Sequence, residues 1–296
     1  MSVAAFAFDI ATRGRVRPAA SLYAGPFVRV DGTLLAYRRW GDAGSPLVLL
    51  GGAAEPSWVW HETAPILAAA GHRVYALDLP PFGYSQRRGP YTMAHWVELL
   101  GGFERRLHIV RPVLVGHSLG AGVAAAAAIA HPPDVAGVVL LDGDALAFGG
   151  NRGWLADFLV YPYYTAVYRI VTGSDWIVGR VYRSAWGPSP PHPDHATLAQ
   201  FERPFRVDGT DAAIKQLFRN GIPGLTLTGL GRLHVPRAVL WGADDNVDSL
   251  ASGRTTAAAL HTPLETIPRA GHLSMLAQPR ATAELILRFA ATSAKK

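Results

Sequence analysis

A serine between two glycines stands where an apolar run meets an alanine-rich segment. The run begins at Val113, and Ser118 is the central residue of Gly-His-Ser-Leu-Gly at positions 116–120. A Gly-x-Ser-x-Gly turn between a strand and a helix is typical of a nucleophile elbow, where the glycines leave room for a strained serine backbone. The helix that follows should direct the backbone N–H of Leu119 toward a developing oxyanion. The pattern predicts an activated serine nucleophile.

A serine needs a histidine as its base and a carboxylate to orient that histidine. Asp245 follows the apolar run at 238–241, and His272 follows the run at 264–268, so each would stand at the carboxyl end of a strand. The predicted catalytic residues are therefore Ser118, Asp245 and His272, in that order along the chain. The carboxylates that remain as alternatives for the acid also follow predicted strands: Asp142, Asp144, Asp244 and Asp248.

The elements that must position these residues alternate along the chain. A hairpin at 27–30 and 34–39 comes first, and then apolar runs at 47–50, 73–77, 113–115 and 135–141 alternate with helical segments. Strands that alternate with helices indicate right-handed crossovers and a parallel sheet. Helical patterns without strands fill the next stretch, and strands return at 237–241 and 264–268. We predict an α/β fold with a mostly parallel central sheet of about eight strands flanked by helices, and an inserted helical cap.

The predicted division of the chain follows from this interruption. An N-terminal extension covers residues 1–22, the core covers 23–145 and 233–296, and the helical cap covers 146–232. The proline-rich stretch at 188–193 interrupts the helical pattern of the cap.

Three further motifs give the chain a family resemblance. Residues 77–85 read Leu-Asp-Leu-Pro-Pro-Phe-Gly-Tyr-Ser, Asp245 belongs to Trp-Gly-x-x-Asp, and His272 belongs to Gly-His. With the order serine, aspartate, histidine, the chain resembles the cap-bearing α/β-hydrolase family, in particular serine hydrolases such as esterases and lipases, over about residues 27–291. The resemblance implies an α/β-hydrolase fold, a catalytic triad and an acyl-enzyme.

The chain departs from that family at two positions. Gly51 stands where the family commonly has histidine before the oxyanion loop, and Pro81 stands where relatives usually have glycine. The loop after the strand at 47–50 should still supply the second oxyanion donor, the backbone N–H of Ala53, because a backbone donor needs no particular side chain.

Aromatic residues concentrate in the predicted cap and suggest an apolar substrate pocket. The predicted substrate-binding residues are Trp154, Phe158, Tyr161, Tyr164 and Tyr168. The expected substrate is a small-molecule hydrophobic carboxylic ester, thioester or lactone. Carbon–carbon bond hydrolases, perhydrolases and acyltransferases use the same triad, and a non-catalytic small-molecule binding protein on the same fold is an alternative of another class.

Composition narrows the classes of partner. The chain has no cysteine, which excludes disulfides, thiolate nucleophiles and zinc–thiolate sites. Its net charge is +6, but the arginines are dispersed, so we expect no nucleic-acid partner. No apolar run reaches the roughly 18 residues that span a bilayer, and the N-terminus does not resemble a signal peptide, so we expect no membrane span and a cytoplasmic location. We expect a monomer or homodimer that needs no cofactor or metal.

Overall fold

A single sheet of eight strands organises the molecule. The computed structural model describes residues 16–147 and 163–293, together with residues 4, 7, 11 and 12. The strands are β1 (Phe27–Val30), β2 (Thr33–Trp40), β3 (Pro46–Leu50), β4 (Arg73–Leu77), β5 (Val113–His117), β6 (Gly137–Leu141), β7 (Arg237–Gly242) and β8 (Leu264–Ile267).

Strand order and direction confirm the predicted sheet. The order is β1-β2-β4-β3-β5-β6-β7-β8. The hairpin β1–β2 is antiparallel and pairs antiparallel with β4, whereas every later pairing is parallel. Because the parallel strands run in one direction, their carboxyl ends meet at one edge of the sheet, which is where such folds place their sites.

Helices cover both faces of the sheet. Helices α1 (Thr63–Ala69) and α9 (Pro279–Ser293) contribute to one apolar core, and α2 (Met93–Arg106), α3 (Leu119–Ala130) and α8 (Leu250–Ala259) contribute to the other. The central strands are therefore buried on both faces, which explains why β3, β5 and β6 are continuous apolar runs rather than alternating ones. Among the residues that the structure describes, no helix is long and apolar enough to cross a membrane.

Besides a short helix at Leu227–Leu230, four helices of at least eight residues follow β6 in the described part of the predicted cap. They are α4 (Tyr163–Thr172), α5 (Asp175–Trp186), α6 (His195–Glu202) and α7 (Thr210–Asn220). Residues 148–162 of the predicted cap lie outside the described residues. Between β6 and β7 the described residues form isolated bridges but no further strand of the sheet. The boundaries of the cap at 146–232 stay a prediction.

Helix α5 joins this helical region to the core. The last carbonyl groups of a helix have no partner within the helix and must find one elsewhere. In α5, the carbonyl of Ala185 accepts the N–H of Leu273 (3.0 Å), and that of Trp186 accepts the N–H of Gly271 (3.1 Å). The end of α5 therefore holds the segment on either side of His272.

Arg87 forms a second junction between the helical region and the core. Its guanidinium donates to the carbonyls of Gly83 (2.7 Å) and Pro204 (2.8 Å) and to the hydroxyl of Thr210 (2.9 Å). Burial lowers the pKa of Arg87 to about 10, which leaves the side chain charged at neutral pH. One partly buried cation thus links the loop after β4 to the segments around α7.

Candidate active site

Ser118 stands at a sharp turn between β5 and α3. Its backbone has φ 51° and ψ −120°, a left-handed conformation that costs energy for a residue with a side chain. The N–H of Ser118 donates to the carbonyl of Leu141 at the end of β6 (3.0 Å). A Cβ atom on Gly116 would overlap the carbonyl oxygen of Gly120. The neighbouring strand and the two close-packed glycines hold the serine in its strained geometry.

His272 and Asp245 contact each other across the ends of β7 and β8. The distance from His272 Nδ1 to Asp245 Oδ2 is 2.8 Å, and the side chain of Asp245 is fully buried. The second oxygen of this carboxylate accepts the N–H groups of Val247 (2.8 Å) and Asp248 (3.0 Å). Because the carboxylate can only accept, Nδ1 of His272 carries a hydrogen. In the neutral imidazole Nε2 then keeps a lone pair, the tautomer of a general base.

Ser118 and His272 line one cleft of about 610 Å³. The two predicted oxyanion donors, Ala53 and Leu119, line the same cleft. The structure therefore brings the predicted nucleophile, base and donor residues to one place, with the predicted acid directly behind the base. Most of the remaining lining is apolar and comes from Ala54, Ala145, Leu146, Ala147, Val181, Ala185, Ile222, Pro223, Val247 and Leu273.

The alternative acids have other partners. The buried carboxylate of Asp142 accepts the N–H of Gly242 and the hydroxyl of Ser274, and burial raises its pKa to about 7. Asp144 and Asp248 line the cleft and contact each other through the N–H of Asp144 (3.3 Å). Asp244 is exposed. Asp245 is the carboxylate hydrogen-bonded to His272.

Of the five predicted cap aromatics, the two that the structure describes, Tyr164 and Tyr168, do not line the cleft. Trp154, Phe158 and Tyr161 lie outside the described residues. Tyr164 and Tyr168 stack on each other with ring centroids 6.2 Å apart, and Tyr168 donates to the carbonyl of Phe205 (3.2 Å). Tyr168 lines a separate, smaller cavity.

Tyr182 on α5 is an aromatic residue of the cleft that is absent from the predicted substrate-binding residues. It lines the cleft, and its hydroxyl donates to the carbonyl of Ala54 in the predicted oxyanion loop (3.0 Å). Its ring stacks on Phe201 at 3.8 Å, and burial raises the pKa of its hydroxyl. Tyr182 was visible in sequence only as one member of an aromatic-rich stretch, because its position depends on how α5 packs on the core.

Glu55 and His117 form a second buried contact beside His272. A carboxylate oxygen of Glu55 and ring nitrogens of His117 and His272 lie within 4.8 Å of one another, the spacing of a possible metal site. However, His117 Nδ1 contacts Glu55 Oε2 at 2.8 Å, and His117 Nε2 contacts the carbonyl oxygen of His272 at 2.7 Å. Both nitrogens of His117 are engaged, so the arrangement fits a hydrogen-bonded pair better than a metal centre.

Comparison with known proteins gives a consistent family and fold. A family model described as the alpha/beta hydrolase family matches residues 47–285. The chain is 24% identical over 264 residues to an uncharacterized hydrolase, YugF, of Bacillus subtilis (strain 168), covering 88% of this chain and 95% of that protein. It is 34% identical over 134 residues to 2-hydroxymuconate semialdehyde hydrolase of Pseudomonas sp. (strain CF600), covering 44% and 47% of the two chains. In fold it is similar to a thermophilic esterase from Thermogutta terrifontis, with a TM-score of 0.72, 22% identity, and coverage of 91% and 99%.

Proposed function

Because the chain belongs to the alpha/beta hydrolase family, we propose that it is a serine hydrolase that cleaves a hydrophobic carboxylic ester, thioester or lactone. The observation that carries this proposal is the buried hydrogen bond from His272 Nδ1 to Asp245 Oδ2 (2.8 Å), with Nε2 left free at a cleft that Ser118 also lines. A base that is oriented in this way, close to a strained serine, is the arrangement that activates a hydroxyl for attack on an acyl carbon.

Each residue of the site has a role in the proposed reaction. Nε2 of His272 takes the proton of Ser118 as Oγ attacks the acyl carbon, while Asp245 stabilises the imidazolium that forms. The N–H groups of Ala53 and Leu119 donate to the oxyanion. The imidazolium then gives its proton to the leaving alcohol or thiol, and an acyl-enzyme remains. Water repeats the sequence, with His272 as its base, and releases the acid.

The lining of the cleft supports an uncharged, apolar acyl substrate. Apolar side chains such as Leu146, Val181 and Ile222 form much of the wall, and Asp144 and Asp248 add carboxylates. Within the described part of the lining there is no lysine or arginine to pair with an anion. Burying a substrate carboxylate beside these residues would cost free energy through like-charge repulsion and desolvation. A neutral ester therefore fits this cleft better than a muconate derivative, which carries a carboxylate.

Labelling with a fluorophosphonate, read by intact mass, tests the nucleophile. We expect one adduct on the native chain, none on Ser118→Ala, and one on the control Ser21→Ala, because Ser21 is exposed and bonds only to the carbonyl of Pro18. The native chain should also turn over p-nitrophenyl esters, and Ser118→Ala should lose at least about 10³-fold in kcat. An adduct that persists in Ser118→Ala would exclude this serine as the nucleophile.

A panel of esters of matched length tests the substrate class. We expect kcat/KM for p-nitrophenyl butyrate to exceed that for the anionic monoester p-nitrophenyl succinate by at least about tenfold, equivalent to about 1.4 kcal/mol. Preference for the anionic ester would contradict the proposed substrate and favour a carbon–carbon bond hydrolase. Labelling of Ser118 without turnover of any ester would favour another acyl acceptor or a ligand-binding role.

A further inference from the structure

Glu55 and His117 are buried polar residues that the proposed reaction does not use. One oxygen of Glu55, Oε2, accepts the N–H of Gly52 (2.7 Å) and contacts His117 Nδ1 (2.8 Å). On its other side, His117 Nε2 contacts the carbonyl oxygen of His272 (2.7 Å). The side chain of His117 is fully buried and that of Glu55 is 5% exposed. A buried acid and base of this kind need a structural or functional reason, because burying charged groups is costly.

The hydrogen bonds indicate the charge state of this pair. The carbonyl of His272 can only accept, so Nε2 of His117 must carry a hydrogen. Oε2 of Glu55 already accepts a backbone N–H from Gly52, so it is best suited to accept from Nδ1 as well. A histidine that donates from both nitrogens is an imidazolium, and its partner is then a carboxylate. The pair is a buried ion pair with no net charge.

The ion pair connects three segments that are distant in sequence. Glu55 closes the predicted oxyanion loop onto the N–H of Gly52, His117 directly precedes Ser118, and the accepting carbonyl belongs to His272. Within the loop, the backbone bond from the N–H of Glu55 to the carbonyl of Gly52 is long, at 3.3 Å. The loop also has Ala54 in a left-handed conformation, with φ 64°. The hydrogen bonds of the Glu55 carboxylate therefore connect this loop to His117, the residue before Ser118.

The carboxylate also lies close to the position of the reacting atoms. Glu55 lines the cleft beside Ser118. A Cβ atom built on Gly52 would be 2.8 Å from Ser118 Cβ and 3.1 Å from Glu55 Oε1, so the carboxylate and the side chain of Ser118 both lie next to this glycine. An unpaired negative charge at this place would oppose an oxyanion forming between Ala53 and Leu119. The positive charge of His117 cancels that effect.

We propose that Glu55 and His117 are positioning residues whose ion pair fixes the oxyanion loop and the segment of His272 relative to Ser118 and neutralises the carboxylate beside the oxyanion. This inference rests on the proposed function for its effect on catalysis, whereas the existence of the ion pair does not depend on it.

The pKa of His117 sets the pH range over which the ion pair is charged. The titratable groups that face this imidazole are Glu55 from the loop after β3, Asp142 from the end of β6 and His272 from the segment after β8. Burial opposes the charge on His117, but the carboxylate of Glu55 and its hydrogen bond outweigh burial and raise the pKa of His117 to about 9. Burial likewise opposes the charge on Glu55, and His117 outweighs it and lowers the pKa of Glu55. The pair is therefore charged at neutral pH and is lost as the pH rises through about 9.

The first test measures the protonation of the His117 imidazole in the native chain. Histidine side-chain ¹³C and ¹⁵N shifts are followed by NMR from pH 5 to 10.5, with His117→Gln used to assign the resonance. We expect His117 to stay charged up to about pH 8 and to titrate near 9, and to titrate more than one pH unit lower in Glu55→Gln. Titration of His117 at or below pH 6.5 in the native chain would overturn the ion pair, whatever the enzyme does.

The second test reads catalysis. The glutamine side chain of the Glu55→Gln variant has nearly the same shape as glutamate but lacks the negative charge. Its single carbonyl oxygen accepts more weakly from the N–H of Gly52 and from Nδ1 of His117. We expect kcat to fall about 10- to 100-fold with KM changed less than about threefold, because a displaced oxyanion loop affects the transition state more than substrate binding. In the native chain kcat should fall above pH 9 together with the NMR titration. A kcat within threefold of native in Glu55→Gln would overturn the positioning role.

A distant carboxylate provides the matched control. Glu104 on α2 is partly buried, its shielded Oε1 has no hydrogen-bond partner among the described residues, and burial raises its pKa to about 8. It lines a separate surface groove with Asp134. Glu104→Gln should leave kcat and the titration of His117 unchanged. If the native chain takes no fluorophosphonate and turns over no ester, the proposed function fails, and the NMR titration still decides whether the ion pair exists.

Discussion

Two aspartates follow neighbouring parallel strands, and only one of them contacts His272, the proposed base. Asp142 comes directly after β6, whereas Asp245 comes three residues after the end of β7, and the two strands pair in register from Val138 to Leu141. Both carboxylates are buried. Asp142 accepts from Gly242 and Ser274, and Asp245 accepts from His272.

The difference teaches that the end of a strand is not by itself an active-site position. A carboxylate directly after the last strand residue still lies within the sheet edge, where the N–H of Gly242 on the next strand binds it. A carboxylate further along the loop is free of that edge and can reach the histidine that follows β8. The N–H groups of Val247 and Asp248 then fix it there. The number of residues between the strand and the aspartate decides whether the carboxylate bonds to the sheet edge or contacts His272, the proposed base.

Asp245→Asn should have the largest effect of the variants that test this comparison. The amide can donate to Nδ1 of His272, which favours the tautomer with hydrogen on Nε2 and removes the lone pair that accepts the serine proton. We expect kcat at pH 7 to fall about 10³- to 10⁴-fold with little change in KM, as for the corresponding substitution in serine proteases. Rates of p-nitrophenyl ester hydrolysis and of fluorophosphonate labelling measure it. The two aspartates would exchange roles if Asp245→Asn kept activity within tenfold and Asp142→Asn lost it.

Asp142→Asn should change the pH dependence of stability more than activity. Burial raises the pKa of Asp142 to about 7, against the opposing effects of the charge on His117 and the hydrogen bond from Ser274. Between an unfolded pKa of about 3.9 and the folded value, the native state holds a proton that the unfolded state has lost. The free energy of unfolding therefore falls as the pH rises from about 4 to 7, and asparagine removes this contribution.

Urea denaturation at pH 5 and pH 8 measures this effect. Between pH 5 and pH 8, the free energy of unfolding of Asp142→Asn should rise by on the order of 2 to 4 kcal/mol relative to that of the native chain. Its kcat at pH 7 should stay within about tenfold of the native value. Asp42→Asn is the control, because Asp42 is exposed and pairs with Arg39 at the surface. Parallel pH profiles for native and Asp142→Asn would show that this carboxyl titrates normally.

The sequence was sufficient to predict those parts of the fold that depend on neighbouring residues. The elbow around Ser118, the strand before it and the helix after it are specified by neighbouring residues, and the predicted sheet was confirmed. Contacts between distant segments were not predictable in this way: 62 residues separate Glu55 from His117, and 128 separate Ala54 from Tyr182. Tyr168 and Tyr182 belong to the same aromatic-rich stretch of the sequence. Only the packing of α5 shows that Tyr182, and not Tyr168, lines the cleft.

Trp241→Phe should have the smallest effect, and it tests what shapes the loop of Asp245. The indole Nε1 of Trp241 donates to the carbonyl of Asp248 (2.9 Å), at the far end of this loop, while its buried ring packs against Gly253. Phenylalanine keeps most of the packing but leaves that carbonyl without its donor. We expect a loss of about 1 to 3 kcal/mol in stability and only about a two- to fivefold fall in kcat, because Asp245 keeps its own bonds to backbone N–H groups.

Trp60→Phe is the matched control, since Trp60 is equally buried and its Nε1 has no hydrogen-bond partner among the described residues. The two variants lose similar ring area, so the difference between them reports the loss of a bonded indole N–H at Trp241 against the loss of an unbonded one at Trp60. Trp241→Phe should be less stable than Trp60→Phe by about 1 kcal/mol, and only Trp241→Phe should lower kcat. Equal stability and equal kcat in the two variants would mean that the backbone bonds of Asp245 suffice to shape the loop, and the contrast between the two aspartates would then rest on loop length alone.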